Sequence, residues 1–172
     1  MTEMRLKGER DQLFNESVRE QIDSWLAKYP PRQAQSAVIP ALHILQTEND
    51  GWLSEPILDA VAVYLNIPAI NVYEVATFYS MFELSPVGKH KINVCTNISC
   101  MLCGSEQIVA HLEQRLNIKL GQTTQDGMFT LKEVECLGAC GGAPMLQLNR
   151  DYHELLTPER VDQLIDEVSA CS

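Results

Sequence analysis

Two cysteine pairs, Cys95-x4-Cys100 and Cys136-x3-Cys140, dominate the second half of the chain, with Gly104, Gly138, Gly141 and Gly142 beside them. A fold that joins such pairs must carry two loops to the same end of its core. Cysteines in a reducing compartment act as ligands or redox groups, because thiol buffers keep disulfides open there. Such a compartment is the expectation here. The stretch Met1 to Asn15 is polar and no run approaches about eighteen apolar residues, so neither a secretory signal nor direct membrane insertion is predicted.

At 172 residues and 45% hydrophobic content, the chain can build one large or two small cores without staples. Its formal charge of -10 opposes the counterion release that drives nucleic-acid binding and disfavours anionic lipid. A protein or small-molecule partner fits better, and no nucleic acid is expected.

The first half reads as helices. Phe14, Val18, Ile22, Trp25 and Leu26 recur at helical spacing until Tyr29-Pro30-Pro31, and Ala34, Ala37, Ala41, Ile44 and Leu45 form a second stripe that Pro40 should kink or delay. After the turn Asn49-Asp50-Gly51, Ser54 is an expected N-cap for the stripe Leu58, Val61, Ala62 and Leu65. Asn66-Ile67-Pro68 breaks the chain before Val72, Val75, Ala76 and Tyr79, completing a bundle that ends near Phe82. Leu65 to Tyr79 superficially matches a helix-turn-helix. Its second helix carries Glu74 and no lysine or arginine, which leaves it without phosphate anchors.

Composition shifts at Ser85-Pro86-Val87-Gly88, so the expected division is a helical domain over 1–84 and a second domain over 85–172. There, His90 to Cys95 reads as a strand, and Gly104-Ser105 opens a helix with Ile108, Val109, Leu112 and Leu116 on one side. The polar stretch Lys119 to Gly127 reads as a loop. Met128 to Glu135, Met145 to Asn149 and Tyr152 to Leu155 complete a four-stranded mixed sheet, and Thr157-Pro158 starts a last helix bearing Val161, Leu164, Ile165 and Val168.

This order brings the cysteine pairs together. A helix of roughly thirteen residues runs back about 20 Å from the end of the first strand. A strand of roughly eight residues then returns about 26 Å, so Cys136 arrives near Cys95 and Cys100. A right-handed crossover makes the two strands parallel neighbours, with both pairs in loops at their carboxyl ends. Glycine amides there can approach and hydrogen-bond the sulfurs of a cluster.

Four thiolates can hold a 2Fe-2S cluster or a structural zinc ion, and zinc sites favour tighter C-x2-C knuckles than these. Cys100-x2-Cys103 also has the spacing of a disulfide reductase at a helix start, a reading that gives Cys95, Cys136 and Cys140 no role. Cys95-x4-Cys100-x2-Cys103 matches the plant-type ferredoxin spacing and would leave Cys140 idle. Rieske ligation requires histidines in motif with cysteines, whereas His43, His90, His111 and His153 are scattered. Cys171 reads as an incidental thiol. No dinucleotide-binding glycine motif, P-loop or assembled nucleophile is present, so nicotinamide and flavin are expected elsewhere and no catalytic residue is assigned.

Val75-Ala76-Thr77-Phe78-Tyr79, Pro86-Val87-Gly88-Lys89 leading to Cys95 and Cys100, Gly121-Gln122-Thr123-Thr124, and Glu135-Cys136-Leu137-Gly138-Ala139-Cys140 with Ala143-Pro144 extend over most of the chain. Through these motifs it resembles the thioredoxin-like 2Fe-2S subunit of the NADH-oxidising module of respiratory complex I. Similar subunits serve NAD-linked hydrogenases and formate dehydrogenases. Pro144 to Asn149, Tyr152 and Leu156-Thr157-Pro158 look more like the complex I branch.

The resemblance implies an α/β chain, a helical bundle followed by a thioredoxin-like ferredoxin domain, with Cys95, Cys100, Cys136 and Cys140 as ligands of one 2Fe-2S cluster. It implies single-electron exchange with FMN on a flavin- and NADH-binding partner subunit, association with other complex I subunits, and a peripheral place on the cytoplasmic face of the inner membrane. The isolated chain is then not catalytic. Cys103 departs from the usual pattern. The cluster with four thiolates is a dianion that gains a charge on reduction, so Glu133 and Glu135 should lower its potential while backbone amides oppose them.

Overall fold

The computed structural model describes residues 14–170, which leaves most of the polar N-terminal stretch and Cys171 outside it. Two compact units divide the chain, one running to Pro86 and the other from Val87.

The first unit is helical. Helix α1, Glu16–Leu26, starts where the Asn15 side chain accepts a hydrogen bond from the Val18 N–H at 2.9 Å, and buries Val18 and Ile22. Trp25, expected in that stripe, is 37% exposed, and Lys28 lies over its ring. A 3-10 segment, Pro31–Ala37, precedes α2, Val38–Glu48. Pro40 therefore falls in the first turn of α2, where a backbone N–H has no intrahelical partner to lose.

Asp50 and Gly51 take positive φ in the turn to α3, Glu55–Leu65. Ser54 occupies its N-cap position, but its side chain makes no capping bond. Asn66, left-handed at φ 55, ends α3 ahead of α4, Ala69–Phe78. The last helix stops short of Tyr79, which is 40% exposed. The segment beyond it is tied back by Gln46, whose side chain donates to the Met81 carbonyl and accepts from the Glu83 N–H.

The second unit is built on a five-stranded sheet of order β2-β3-β1-β4-β5. Its strands are β1, His90–Cys95; β2, Gln122–Thr123; β3, Phe129–Val134; β4, Leu146–Leu148; and β5, Asp151–His153. β1 pairs parallel with β3 and antiparallel with β4, and the two edge strands pair antiparallel with their neighbours. The fifth strand, β2, lies in the stretch that reads as a loop. Both of its residues are exposed, so no alternation marks it, and it is held by the hydroxyl contact between Thr123 and Thr130. β3 shows weak alternation because it is interior to the sheet, with Phe129, Thr130 and Leu131 buried in succession.

Between β1 and β3 run a short helix, α5, Ile98–Leu102, and the longer α6, Ser105–Leu116; α7, Pro158–Ala170, follows β5. Ile108 and Leu112 of α6 and Val161, Leu164 and Ile165 of α7 join Ile92, Val94, Leu131 and Leu148 in one core. On the outer side, His111 meets Asp162 at 2.9 Å and Arg115 meets Asp166 at 2.7 Å, tying the two helices together.

Candidate metal centre

Strand register accounts for the meeting of the two pairs. Cys95 is the last residue of β1 and lies opposite Val134 of the parallel strand β3. Cys136 follows two residues after that partner, so the chain has little room to carry it away. Cys100 is borne by α5 and Cys140 opens a 3-10 turn, Cys140–Gly142.

The Cys95 sulfur exchanges hydrogen bonds with the thiols of Cys100 and Cys136, and the charge of Cys140 acts on Cys100. The four sulfurs thus form a chain of neighbours. Among the described residues, no three His, Cys, Asp or Glu side chains focus on one point as a single ion would require. Cys95 and Cys100 are 3% and 1% exposed and pack with Met145, while Cys136 and Cys140 are exposed.

Burial works against a charged sulfur at Cys95, but the N–H groups of Asn97 and Leu137 and the neighbouring thiols outweigh it, so its pKa falls below the ordinary 9.0. Burial and the hydrogen bond with Cys95 push Cys100 up to about 11, against the N–H of Met145. Gly138 donates its N–H to the Cys136 sulfur at 3.3 Å. Amides aimed at sulfur favour the thiolate state that a metal centre needs. The donor set and its amides therefore fit an iron–sulfur cluster.

The sequence points to glycines as the donors, and most of the actual donors are other residues. Gly138 makes the bond expected of it, and Asn97, Leu137 and Met145 supply the others. Gly104 instead precedes α6 with φ 95, and Gly142 is pressed against the Glu154 side chain. The loop bearing Cys136 and Cys140 is clamped from β5 and the residues after it. The Tyr152 hydroxyl donates to the Leu137 carbonyl at 2.8 Å, and Leu155 and Leu156 donate to the Gly142 and Pro144 carbonyls.

Cys103 stands apart. It is the residue after α5 and is exposed, and it is not among the groups that act on the Cys95 and Cys100 sulfurs. Helix α5 also removes the basis of the reductase reading, because Cys100 lies inside a short helix with a raised pKa and not at the start of a long one.

The model of the thioredoxin-like [2Fe-2S] ferredoxin family matches residues 22–169. The chain belongs to this family. It is 51% identical over 144 residues to the E-type subunit of the NADH-quinone oxidoreductase of Rickettsia felis, covering 84% of this chain and 86% of that one. It is 47% identical over 154 residues to an E-type subunit of the same enzyme in Rhizobium meliloti, covering 90% of each. Among solved structures, an NAD+-reducing [NiFe]-hydrogenase in the air-oxidized state aligns with a TM-score of 0.66 and 23% identity. That match covers 77% of this chain and 23% of the hydrogenase chain, and it shows the likeness of fold alone.

Proposed function

We propose that the chain is the electron-transfer subunit of an NADH–quinone oxidoreductase, with Cys95, Cys100, Cys136 and Cys140 holding one 2Fe-2S cluster and Cys103 standing outside the ligand set. The meeting of two buried and two exposed sulfurs at the carboxyl ends of β1 and β3 carries this reading. The names of the 51% and 47% identical relatives support the choice of enzyme.

When bound, the cluster supplies a one-electron couple. The chain's own part is to hold it and set its charge balance. The amides of Asn97, Leu137, Met145 and Gly138 lower the cost of negative charge on the sulfurs, while Glu133 and Glu135 raise the cost of the electron added on reduction. The exposed Cys136–Cys140 loop leaves one edge of the site near the surface. FMN and NADH belong to that partner subunit, and the isolated chain transfers electrons without catalysing NADH oxidation. Among the described residues no helix is long and apolar enough to cross a membrane, in keeping with a peripheral place on the cytoplasmic face of the inner membrane.

Purification under anaerobic conditions tests the reading. A red-brown chain with about two irons and two sulfides, giving a rhombic paramagnetic signal on reduction, is expected. NADH should reduce it only when the flavin-binding subunit is added. A colourless zinc protein would overturn the assignment.

A further inference from the structure

A groove of about 350 Å³ lies beside the cysteine site. Met101, Val109 and Leu120 give it an apolar lining, and Glu106, Glu113 and Glu133 set carboxylates around it. Two of its residues adjoin the site directly, since Met101 follows Cys100 and Thr96 follows Cys95.

The carboxylates are unequally compensated. Glu113 is paired with Lys119 at 2.7 Å. Among the described residues, Glu133 accepts only the neutral hydroxyl of Thr96, at 2.8 Å, and Glu106 has no ion pair. The groove thus combines an apolar lining with two carboxylates that have no basic side chain beside them among the described residues, on a chain whose formal charge is already -10. Exposed apolar side chains continue from it along α5, with Leu102 77% and Ile98 67% exposed.

We propose that this groove is the docking point for a basic side chain of the flavin-binding partner subunit. The inference rests on the electron-transfer reading above. An arginine or lysine suits both halves of the groove, because its aliphatic stem can lie on Met101, Val109 and Leu120 while its charged head meets Glu106 and Glu133. Ile98 and Leu102 then supply apolar contact around that anchor. Docking here sets the partner against the β1 and α5 end of the cysteine site, which keeps the electron's path short. Complementary charge also speeds encounter between the two surfaces.

The test uses the full cluster-loaded chain and the flavin-binding subunit, with affinity measured at several salt concentrations. The double substitution Glu106→Gln with Glu133→Gln should weaken binding about tenfold and flatten its salt dependence. Ala110→Trp, which puts bulk into the groove from an exposed position on α6, should weaken binding without regard to salt. The iron content and unfolding midpoint should stay unchanged in both, and Glu20→Gln on the helical unit should bind normally. Wild-type affinity in the double variant and in Ala110→Trp overturns the groove while leaving the electron-transfer reading intact. Failure of the wild-type chain to bind its flavoprotein partner under any condition overturns both. A wild-type dimer abolished by the double variant makes a second copy of this chain the occupant and overturns the choice of partner.

Discussion

Gly88 enters β1 against the backbone of β3, and replacing it with alanine isolates a purely steric cost. A Cβ there would lie 2.9 Å from the Phe129 carbonyl carbon and 3.0 Å from both the Met128 carbonyl carbon and the Phe129 nitrogen. These are backbone atoms of a paired strand, so no side chain can swing aside. Overpacking of this kind costs about 1–3 kcal/mol. Alanine returns about 0.4–1 kcal/mol by restricting the unfolded chain. The net expectation is roughly 1–2 kcal/mol of destabilisation, or about 5- to 30-fold in the folding equilibrium. The Gly88 N–H also donates to the buried Thr130 hydroxyl at 2.6 Å, and a displacement that breaks this bond moves the result toward the upper end. Amide exchange across β1 and β3 is the suitable readout, because it reports on the second unit directly; Trp25 and Trp52, the only tryptophans, belong to the first. Gly88→Ala should accelerate exchange at Ile92 and Leu131 by that factor while the paramagnetic signal survives, since Cys95 lies at the opposite end of β1. Unchanged exchange would refute the steric argument, and loss of the signal without faster exchange would show that Gly88 acts on the site by another route.

Cys103→Ser should keep full iron content and an unaltered paramagnetic signal, whereas serine at Cys95, Cys100, Cys136 or Cys140 should lower the iron content or change the signal; loss of the cluster in Cys103→Ser would sink the ligand assignment. Gly138, at φ 75, should cost about 1–2 kcal/mol as alanine through backbone strain alone, while Gly141, with ordinary φ and open space around it, should accept alanine without measurable effect in urea unfolding. Hydrogen bonds from Lys119 and from the Leu120 N–H hold the Glu113 carboxyl below its usual 4.5. Its contribution to stability is therefore full above pH 4.5 and fades as pH falls through the lower folded value. Glu113→Gln should be less stable than the parent at about pH 7, with the gap closing as pH falls below 4.5 through the lower folded value; a gap independent of pH would contradict this.

Where apolar periodicity met a buried face, the sequence was readable. Ile108 and Leu112, and Val161, Leu164 and Ile165, occupy the core as their spacing predicts. Failures came where local and tertiary influences parted. Trp25 and Tyr79 have the right spacing, but nothing in the bundle covers them fully. Strand β2 has no buried face to leave a pattern, and its place is set by pairing with β3 through Gln122 and Leu131. Ser54 has the right chemistry for a cap and makes no capping bond, while the working cap at Asn15 carried no periodic signal of its own.

The cysteine site divides along the same line. Its position followed from chain length and strand direction, because the parallel register of β1 and β3 leaves Cys136 only two residues past the partner of Cys95. Its electrostatics did not follow, because an amide hydrogen bond depends on where the backbone turns and any residue type can supply it. Asn97 and Met145 donate to sulfur because the chain turns into α5 and back into β4 at those points. The loop carrying Leu137 is meanwhile held by Tyr152, from a strand later in the chain. Residue type could therefore locate the thiols, while the groups that govern their charge are a property of the assembled sheet. The same reasoning separates Cys103 from its neighbours. It has the chemistry of a ligand, but α5 carries Cys100 into the buried site and ends before Cys103, leaving that thiol in solvent.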